Sequence, residues 1–177
     1  GPFYGDREVV VVGGGNSGIE EGLFLTKFAS KVTVVEFMDR LGASQILREK
    51  AESHPKMEIK LGKAVQEFKG NGHLESIVIQ DRATGENEEL IPAAAFIFIG
   101  LDPNTAFVKD IVETGKWGFI TTSGTMETSL EGVFAAGDAR GGSTKQVTSA
   151  AGEGATAALM IRNYLEKQQG NREYKGD

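Results

Sequence analysis

The sequence contains no cysteine, no long apolar run and no cluster of basic residues. The absence of cysteine excludes disulfides, zinc–thiolate and iron–sulfur sites, and thiol catalysis within this chain. No apolar run approaches the roughly 20 residues that span a bilayer, so we expect no membrane partner. Lys and Arg are scattered singly in a chain of net charge −6, which argues against a nucleic-acid partner.

The start of the chain lacks the charged and apolar regions of a signal peptide, so we expect a cytoplasmic protein. A chain of 177 residues that is 40% hydrophobic can build one full core, or one domain plus part of another. Its glycines cluster at 13–15, 70–72, 137–142 and 152–154. These positions adjoin strand-like or helix-like segments, where the backbone must turn tightly or approach a ligand.

The first third of the chain has an alternating strand and helix pattern. Continuous apolar, β-branched runs at 8–12 and 32–35 predict strands that are buried on both faces of a parallel sheet. Between them, apolar residues at helical spacing predict a helix from Ser17 to about Ala29. A polar helix is expected over Ser44–Glu52, with Ser44 as its N-cap, followed by a short strand at Met57–Leu61.

The pattern then changes. Segments 64–69, 74–80 and 88–91 predict an antiparallel meander with glycine turns at Gly70-Asn-Gly72 and Thr84-Gly85. The apolar run Ala93–Ile99 is expected to return to the parallel sheet. Further on, we expect strands at 119–122 and 133–136, then an Ala-rich helix over Thr148–Leu165, with a polar, disordered tail at 168–177.

A G-x-G-x-x-G motif follows the first predicted strand and opens the first predicted helix. Gly13 permits the tight turn, Gly15 lets a diphosphate approach the backbone, and Gly18 allows close packing of helix on strand. The amides from Asn16 through Ser17 to Gly18, at the positive end of the helix, would hold the diphosphate. The motif alone is weak evidence, but this strand–loop–helix–strand context predicts a dinucleotide site.

Glu36 ends the second predicted strand, where an acid accepts hydrogen bonds from the adenosine ribose hydroxyls. A carboxylate there would repel the 2′-phosphate of NADPH, and the residues that follow are Phe37, Met38 and Asp39, with Arg40 the one nearby cation. This charge pattern favours NADH over NADPH.

Four segments together resemble the low-molecular-weight thioredoxin reductases and the flavoprotein subunit of alkyl hydroperoxide reductase. They are Gly1-Pro-Phe-Tyr4, Val9–Leu23 around the glycine motif, Phe98–Thr105, and Thr128-Ser-Leu-Glu-Gly-Val-Phe-Ala-Ala-Gly-Asp138. The resemblance to the peroxide-reductase subunit is clearest in Val34-Val-Glu-Phe37 and in Lys145-Gln146 followed by Gly152-Glu-Gly-Ala155. It spans nearly the whole chain.

The resemblance implies an α/β protein with two parts. Residues 1–105 would be a Rossmann-like, three-layer NAD(P)H-binding domain with an antiparallel meander. Residues 106–177 would be the C-terminal portion of a second Rossmann-like domain that binds FAD. It also implies that Gly137 and Asp138 contact the ribityl or phosphate region of the flavin, that Lys145, Gln146 and Val147 line the isoalloxazine, and that Glu20 and Gly100 lie near the nicotinamide.

Members of this family carry an FAD-binding glycine motif and a Cys-x-x-Cys-Asp segment before the residues that match Gly1. We therefore expect this chain to be a fragment that has no turnover and binds FAD weakly. In the intact, homodimeric enzyme the resemblance implies hydride transfer from NADH to FAD and on to a disulfide of a thioredoxin-like or peroxiredoxin-system protein. Two alternatives stay open: a non-catalytic dinucleotide-binding module, and a ferredoxin or flavodoxin reductase on the same scaffold.

No residue of the chain is assigned a catalytic role, and no metal-ligand spacing is visible. His54 and His73, the only histidines, lie in predicted turns and are expected at the surface. Trp117 is expected to serve packing rather than flavin stacking.

Overall fold

A computed structural model describes residues 2–173 of the chain. It divides into two compact units, Gly1–Gly100 and Leu101–Asp177. The division falls slightly before the boundary near residue 105 that we expect from the sequence.

The first unit is built on a four-stranded parallel sheet. Its strands are β1 (Glu8–Val12), β2 (Lys31–Val35), β3 (Met57–Lys60) and β7 (Ala94–Ile97), in the order β3-β2-β1-β7. In the central pairs, Val11 is opposite Val34 on one side and Phe96 on the other. The strands that we predict from apolar runs therefore pair in parallel, as such runs require.

The two faces of this sheet bury different partners. Helix α1 (Asn16–Leu25) and helix α2 (Gln45–Glu52) belong to one core cluster with Val9, Val11, Val32 and Val34. On the other face, Val10 and Val35 pack with Ile77 and Ile79 of the antiparallel sheet. Because each face has its own covering layer, the strands need apolar residues at every position, which explains the unbroken valine runs. The unit is thus a three-layer α/β structure.

The antiparallel sheet contains β4 (Lys63–Gly70), β5 (Leu74–Asp81) and β6 (Asn87–Leu90), in that order. Gly72, in the β4–β5 turn, has φ +79°, and Gly85, in the β5–β6 turn, has φ +78°. Residues with a Cβ rarely adopt this region, so the glycines fix where the chain reverses. The predicted meander and its turns are confirmed.

The second unit has little regular structure before its helix. Two 3₁₀ turns, Ala106–Val108 and Gly137–Ala139, precede helix α3 (Val147–Glu173). The predicted strands at 119–122 and 133–136 are wrong: Ile120 and Phe134 make isolated bridges only. A strand needs a run of partner backbone on at least one side, and within this unit these segments find single residues to pair with.

Helix ends also differ from expectation. Helix α1 ends at Leu25, before the predicted end near Ala29. Ser44 is the N-cap residue of α2, as predicted, although its side chain makes no cap hydrogen bond. Helix α3 continues through 168–173, most of the predicted disordered tail, where Gln168, Gln169 and Arg172 are good helix formers. Residues 174–177 lie outside the described residues. No helix within residues 2–173 combines the length and the apolar content needed to cross a membrane.

Candidate functional site

The glycine loop connects Val12 of β1 to helix α1 and is held by the chain on three sides. The Gly13 amide donates to the Val35 carbonyl of β2 at 2.9 Å. The Phe98 amide, just after β7, donates to the Val12 carbonyl at 2.7 Å. The Ala43 amide donates to the Gly14 carbonyl at 3.1 Å. These bonds fix the loop at the carboxyl ends of the central strands, where open parallel sheets bind ligands.

The three motif glycines have different surroundings. Gly13 has φ +110°, and a Cβ there would collide with the Phe98 carbonyl. A Cβ at Gly18 would collide with the carbonyl of Gly13. Gly15 is the exception, because nothing lies within 4 Å of an added Cβ. Gly13 and Gly18 are therefore required by the fold itself, whereas the space beside Gly15 stays open for a ligand.

The N-terminus of helix α1 presents backbone donors. Gly15 is its N-cap residue, and its carbonyl accepts from the Ile19 amide at 3.0 Å. The amides of Asn16, Ser17 and Gly18 precede that first helical bond, and no side chain caps the helix. The Asn16 side chain is engaged elsewhere, since its Oδ1 accepts from the Ser44 amide at 2.8 Å. Three amides at the positive end of the helix thus precede its first hydrogen bond, next to the open space at Gly15, an arrangement that suits a diphosphate.

The Glu36 carboxylate is held at the edge of this loop by backbone donors. Its Oε2 accepts a hydrogen bond from the Gly14 amide, and its Oε1 accepts from the Met38 amide at 2.8 Å. Each carboxylate oxygen keeps a further lone pair, because an ionised carboxylate can accept about four hydrogen bonds in all. The side chain is therefore fixed in place while it can still accept from two vicinal hydroxyls.

A cavity of about 710 Å³ opens over the glycine loop. Its walls are the loop and helix start, the end of β2 with the residues after it, the start of β4, and the residues after β7, namely Val12–Ser17, Val35–Met38, Gly42, Lys63–Val65 and Phe98–Gly100. The volume lies within the range of small-molecule sites. Of the two residues assigned to the nicotinamide end, Gly100 lines the cavity and has φ +99°, whereas Glu20 is exposed on α1 and does not line it.

Part of the cavity wall could not be anticipated from local sequence. Lys63 begins β4 and lines the cavity, and its Nζ lies 2.6 Å from Oδ2 of Asp81. This ammonium, together with the amides of Thr84 and Ala83, lowers the pKa of Asp81 to about 2. Arg82 follows at the end of β5 and donates to the carbonyl of Phe37 at 3.0 Å. These contacts join positions far apart in the sequence, so no motif spacing indicates them.

The residues assigned to flavin contact lie in the second unit. Gly137 is buried with φ +76°, and its amide donates to Oε2 of Glu153 at 2.7 Å. Asp138 is exposed beside it. The Lys145 ammonium donates to the carbonyls of Asp138 and Arg140, at 2.6 and 2.8 Å. These contacts bring Gly137, Asp138 and Lys145 together within the unit; their contact with a flavin stays a prediction.

Gln146 and Val147 stand at the start of helix α3, and both are exposed, with Val147 at 87%. Glu153, nearly two turns further along the helix, pairs with Arg140 at 2.9 Å. Burial raises the pKa of Glu153, but the Gly137 amide and the Arg140 charge outweigh it, so that the pKa lies below its usual value. This ion pair fixes the turn at 137–139 against α3.

Within residues 2–173 no group of three or more His, Asp or Glu side chains could hold a metal ion. His73 is exposed in the β4–β5 turn, and His54 lies in the turn before β3, where its Nδ1 accepts from the Lys56 amide at 3.2 Å. Both are turn residues, as expected. Trp117 is 73% exposed, so within this unit it does not serve the packing that we expect from the sequence.

Comparison with known proteins gives consistent matches along the chain. The family model described as pyridine nucleotide-disulphide oxidoreductase matches residues 2–154. Thioredoxin reductase of Peptoclostridium litorale is 42% identical over 171 residues, covering 93% of this chain and 54% of the relative. Thioredoxin reductase of Bacillus subtilis is 41% identical over 170 residues, covering 96% and 54%.

Solved structures agree with the sequence matches. The crystal structure of Lactococcus lactis thioredoxin reductase superposes with a TM-score of 0.77 at 35% identity, covering 94% of this chain and 55% of that one. The thioredoxin reductase of Streptococcus pyogenes gives a TM-score of 0.70 at 38% identity, with the same coverages of 94% and 55%. This chain spans about half the length of the relatives that it matches.

Proposed function

Since this chain belongs to the pyridine nucleotide-disulphide oxidoreductase family and is similar to thioredoxin reductases, we propose that its first unit binds NADH for a flavin-dependent disulfide oxidoreductase. The observation that carries the proposal is the combination at the glycine loop. The amides of Asn16 and Ser17 at a helix start, an open space beside Gly15 and a fixed Glu36 carboxylate lie around one cavity. A diphosphate and its neighbouring ribose need these groups in this order.

Each residue has a separate part in this proposal. The amides of Asn16, Ser17 and Gly18 hold the diphosphate, and Glu36 accepts from the ribose hydroxyls. The missing Cβ of Gly15 leaves the room that the phosphate oxygens require. NADH is preferred over NADPH because the Glu36 carboxylate stands where a 2′-phosphate would bring nearly two further negative charges. Gly100, which lines the cavity, faces the nicotinamide, and Glu20, which is exposed on α1 and does not line the cavity, lies near that end.

For the intact protein we propose hydride transfer from NADH to FAD and on to a disulfide of a thioredoxin-like or peroxiredoxin-system protein. Residues 106–177 would form part of the FAD domain, with Gly137, Asp138, Lys145, Gln146 and Val147 as one wall of the flavin site. We propose that the intact enzyme is a cytoplasmic homodimer. The chain of 177 residues is then inactive by itself and binds FAD weakly, because it supplies one wall only.

The test is calorimetric titration of the chain with NADH and NADPH, for the wild type and for Gly15→Ala. Gly15 has φ −77° and ψ −179°, which alanine also adopts, and its Cβ would meet no protein atom within 4 Å. The variant should therefore fold normally and lose binding by roughly tenfold or more, since the methyl group takes the space of the phosphate. Gly124→Ala is the matched control, because an added Cβ there also meets nothing within 4 Å but lies outside the cavity.

Four results would each contradict part of the proposal. Wild-type protein that binds neither dinucleotide would remove the dinucleotide site altogether. If Gly15→Ala binds with wild-type affinity, the diphosphate does not lie against the glycine loop at Gly15. Equal or inverted preference for NADPH would overturn the role of Glu36 alone. If the purified chain shows the absorption spectrum of tightly bound flavin, one wall of the flavin site is sufficient for FAD binding and that part of the proposal is wrong.

A further inference from the structure

A cation–aromatic pair stands at the mouth of the cavity, next to Glu36. Phe37 lines the cavity and is 53% exposed. The guanidinium carbon of Arg82 lies 3.7 Å from the centre of the Phe37 ring, and its Nη1 donates to the Phe37 carbonyl at 3.0 Å. Arg82 therefore holds both the ring and the backbone of the same residue.

The pair is anchored by backbone bonds between three segments of the first unit. The Arg82 amide donates to the Gly62 carbonyl at 2.9 Å, and the Gly62 amide donates to the Met38 carbonyl at 2.8 Å. The Lys63 amide donates to the Glu36 carbonyl at 3.0 Å. These bonds fix the segment after β2 against the antiparallel sheet. An exposed aromatic side chain that lines the cavity thus has a defined position, with Arg82 packed on its ring.

The order of groups in an adenine dinucleotide matches the order of residues here. With the diphosphate at the start of α1 and the ribose at Glu36, the next group of the ligand is the base, and the next residue of the wall is Phe37. Aromatic side chains stack on nucleotide bases, because every base has a π-face. Arg82, whose planar guanidinium already stacks on the ring, limits the orientations that the ring can take.

We propose that Phe37 stacks on the adenine of the bound dinucleotide and that Arg82 is a positioning residue that holds the Phe37 ring for it. This inference rests on the dinucleotide site proposed above and assigns its adenine end. NADH and NADPH share the adenine, so the pair contributes equally to both and does not set the preference between them. That preference stays with Glu36.

The experiment is titration of the 177-residue chain with ADP-ribose, NADH and NADPH. Phe37→Leu should weaken the binding of all three ligands by about tenfold, because the adenine loses its stacking partner. Phe37→Tyr should keep wild-type affinity. Arg82→Ala should weaken all three by about three- to fivefold, since the ring loses its fixed orientation. Arg82→Lys should not restore affinity, because an ammonium cannot lie flat on the ring.

A direct spectroscopic readout separates stacking from a general structural effect. Nuclear Overhauser contacts between the adenine protons and the Phe37 ring should be present in the wild type and weakened in Arg82→Ala. The matched control is Lys27→Ala, because Lys27 lies 5.3 Å from the Phe24 ring, a second cation–aromatic pair of the same unit that lies outside the cavity. It should leave affinity and contacts unchanged.

Each contrary result has its own meaning. If the wild type binds ADP-ribose and Phe37→Leu binds it equally well, the adenine platform is overturned while the dinucleotide site stands. If Arg82→Ala weakens NADPH alone, or Arg82→Lys restores affinity, Arg82 acts through its charge and the positioning role is overturned. If the wild type does not bind ADP-ribose, both proposals are overturned.

Discussion

The two compact units of the chain reach a folded structure by different means. In the first, the faces of the parallel sheet bury Val11, Val32, Val34 and Ile79 completely. In the second, the buried apolar residues among those described are Val112, Ile120, Met126 and Ala157. Its loops are joined mainly by polar contacts, such as Thr105 Oγ1 donating to the Gly118 carbonyl at 2.6 Å.

The difference matters because the two kinds of contact have different net value. Burying a Val or Ile side chain contributes about 1.5–3 kcal/mol. A hydrogen bond within the protein replaces one to water, so its net contribution to stability is only about 0.5–1.5 kcal/mol. We therefore expect the first unit to be the stable part of the isolated chain, and the second to gain most from partner surface in the intact protein. Four predictions test this difference, starting with the largest effect.

The largest effect, about 5 kcal/mol, is expected for Gly18→Ala in the first unit. The added Cβ would collide with the Gly13 carbonyl. The loop is held at this residue by the hydrogen bond from the Gly13 amide to the Val35 carbonyl of β2, so it has little freedom to move away. This fall in the free energy of unfolding is measured by urea denaturation. Gly15→Ala is the control and should unfold like the wild type. Equal stability of the two variants would mean that the helix does not pack closely on the loop.

A matched isoleucine pair compares the two cores directly. Ile19 is 0% exposed in the first unit, and its replacement by alanine should lower the free energy of unfolding by about 4 kcal/mol. Ile120 is 7% exposed in the second unit. The same replacement there should lower the free energy of unfolding by about 2 kcal/mol, because fewer side chains surround the cavity that it leaves. Urea denaturation, with hydrogen exchange to assign each unit, measures both. Similar losses would show that the second unit has a complete core of its own.

Two helix glycines compare open and packed positions. Gly152 in α3 has nothing within 4 Å of an added Cβ, so Gly152→Ala should stabilise the chain by about 0.5–1 kcal/mol. Gly22 in α1 offers the same gain in helix propensity, but its Cβ would meet Met57 Cε at 3.1 Å. Gly22→Ala should therefore leave the midpoint temperature of thermal unfolding no higher than that of the wild type. A gain at Gly22 and none at Gly152 would reverse the comparison.

The smallest effect is a pH dependence in the first unit. The Lys63 ammonium and two backbone amides lower the pKa of Asp81 from 3.8 to about 2. A carboxyl group with a lowered pKa stabilises the fold above its unfolded pKa, and this stabilisation is lost as the pH falls from 3.8 towards about 2. Urea midpoints over that range should fall less for Asp81→Asn than for the wild type. Parallel curves would mean that Asp81 is not paired with Lys63 in solution.

The sequence predicted the first unit better than the second, for a physical reason. Valine runs at β1 and β2, with glycines at the turns, specify buried parallel strands locally, and the glycine loop with Glu36 follows from the same pattern. The run Val133–Ala136 has similar apolar character, yet it forms no strand because its partner backbone is limited to an isolated bridge. Local pattern indicates that a segment can be a strand, but only neighbouring backbone makes it one.

The same limit applies to the candidate site. Gly13, Gly15, Gly18 and Glu36 have the spacing of a known motif, so their grouping at one edge of the sheet could be predicted. Lys63 and Arg82 could not: Lys63 lines the cavity from β4, and Arg82, which follows β5, contacts the cavity residue Phe37, and both are paired with distant residues. Their side chains carry no signal within a window of neighbouring residues.

The amino-acid order alone determined the family, the parallel strands and the loop that would hold a diphosphate, because these depend on short-range periodicity and on glycines at fixed spacing. Tertiary structure decided that Glu36 is held by the amides of Gly14 and Met38, and that Arg82 lies on Phe37. It also decided that residues 101–173 of the second unit form a helix but no sheet. Contacts of this kind depend on which distant segments meet, and that is settled only when the whole chain packs.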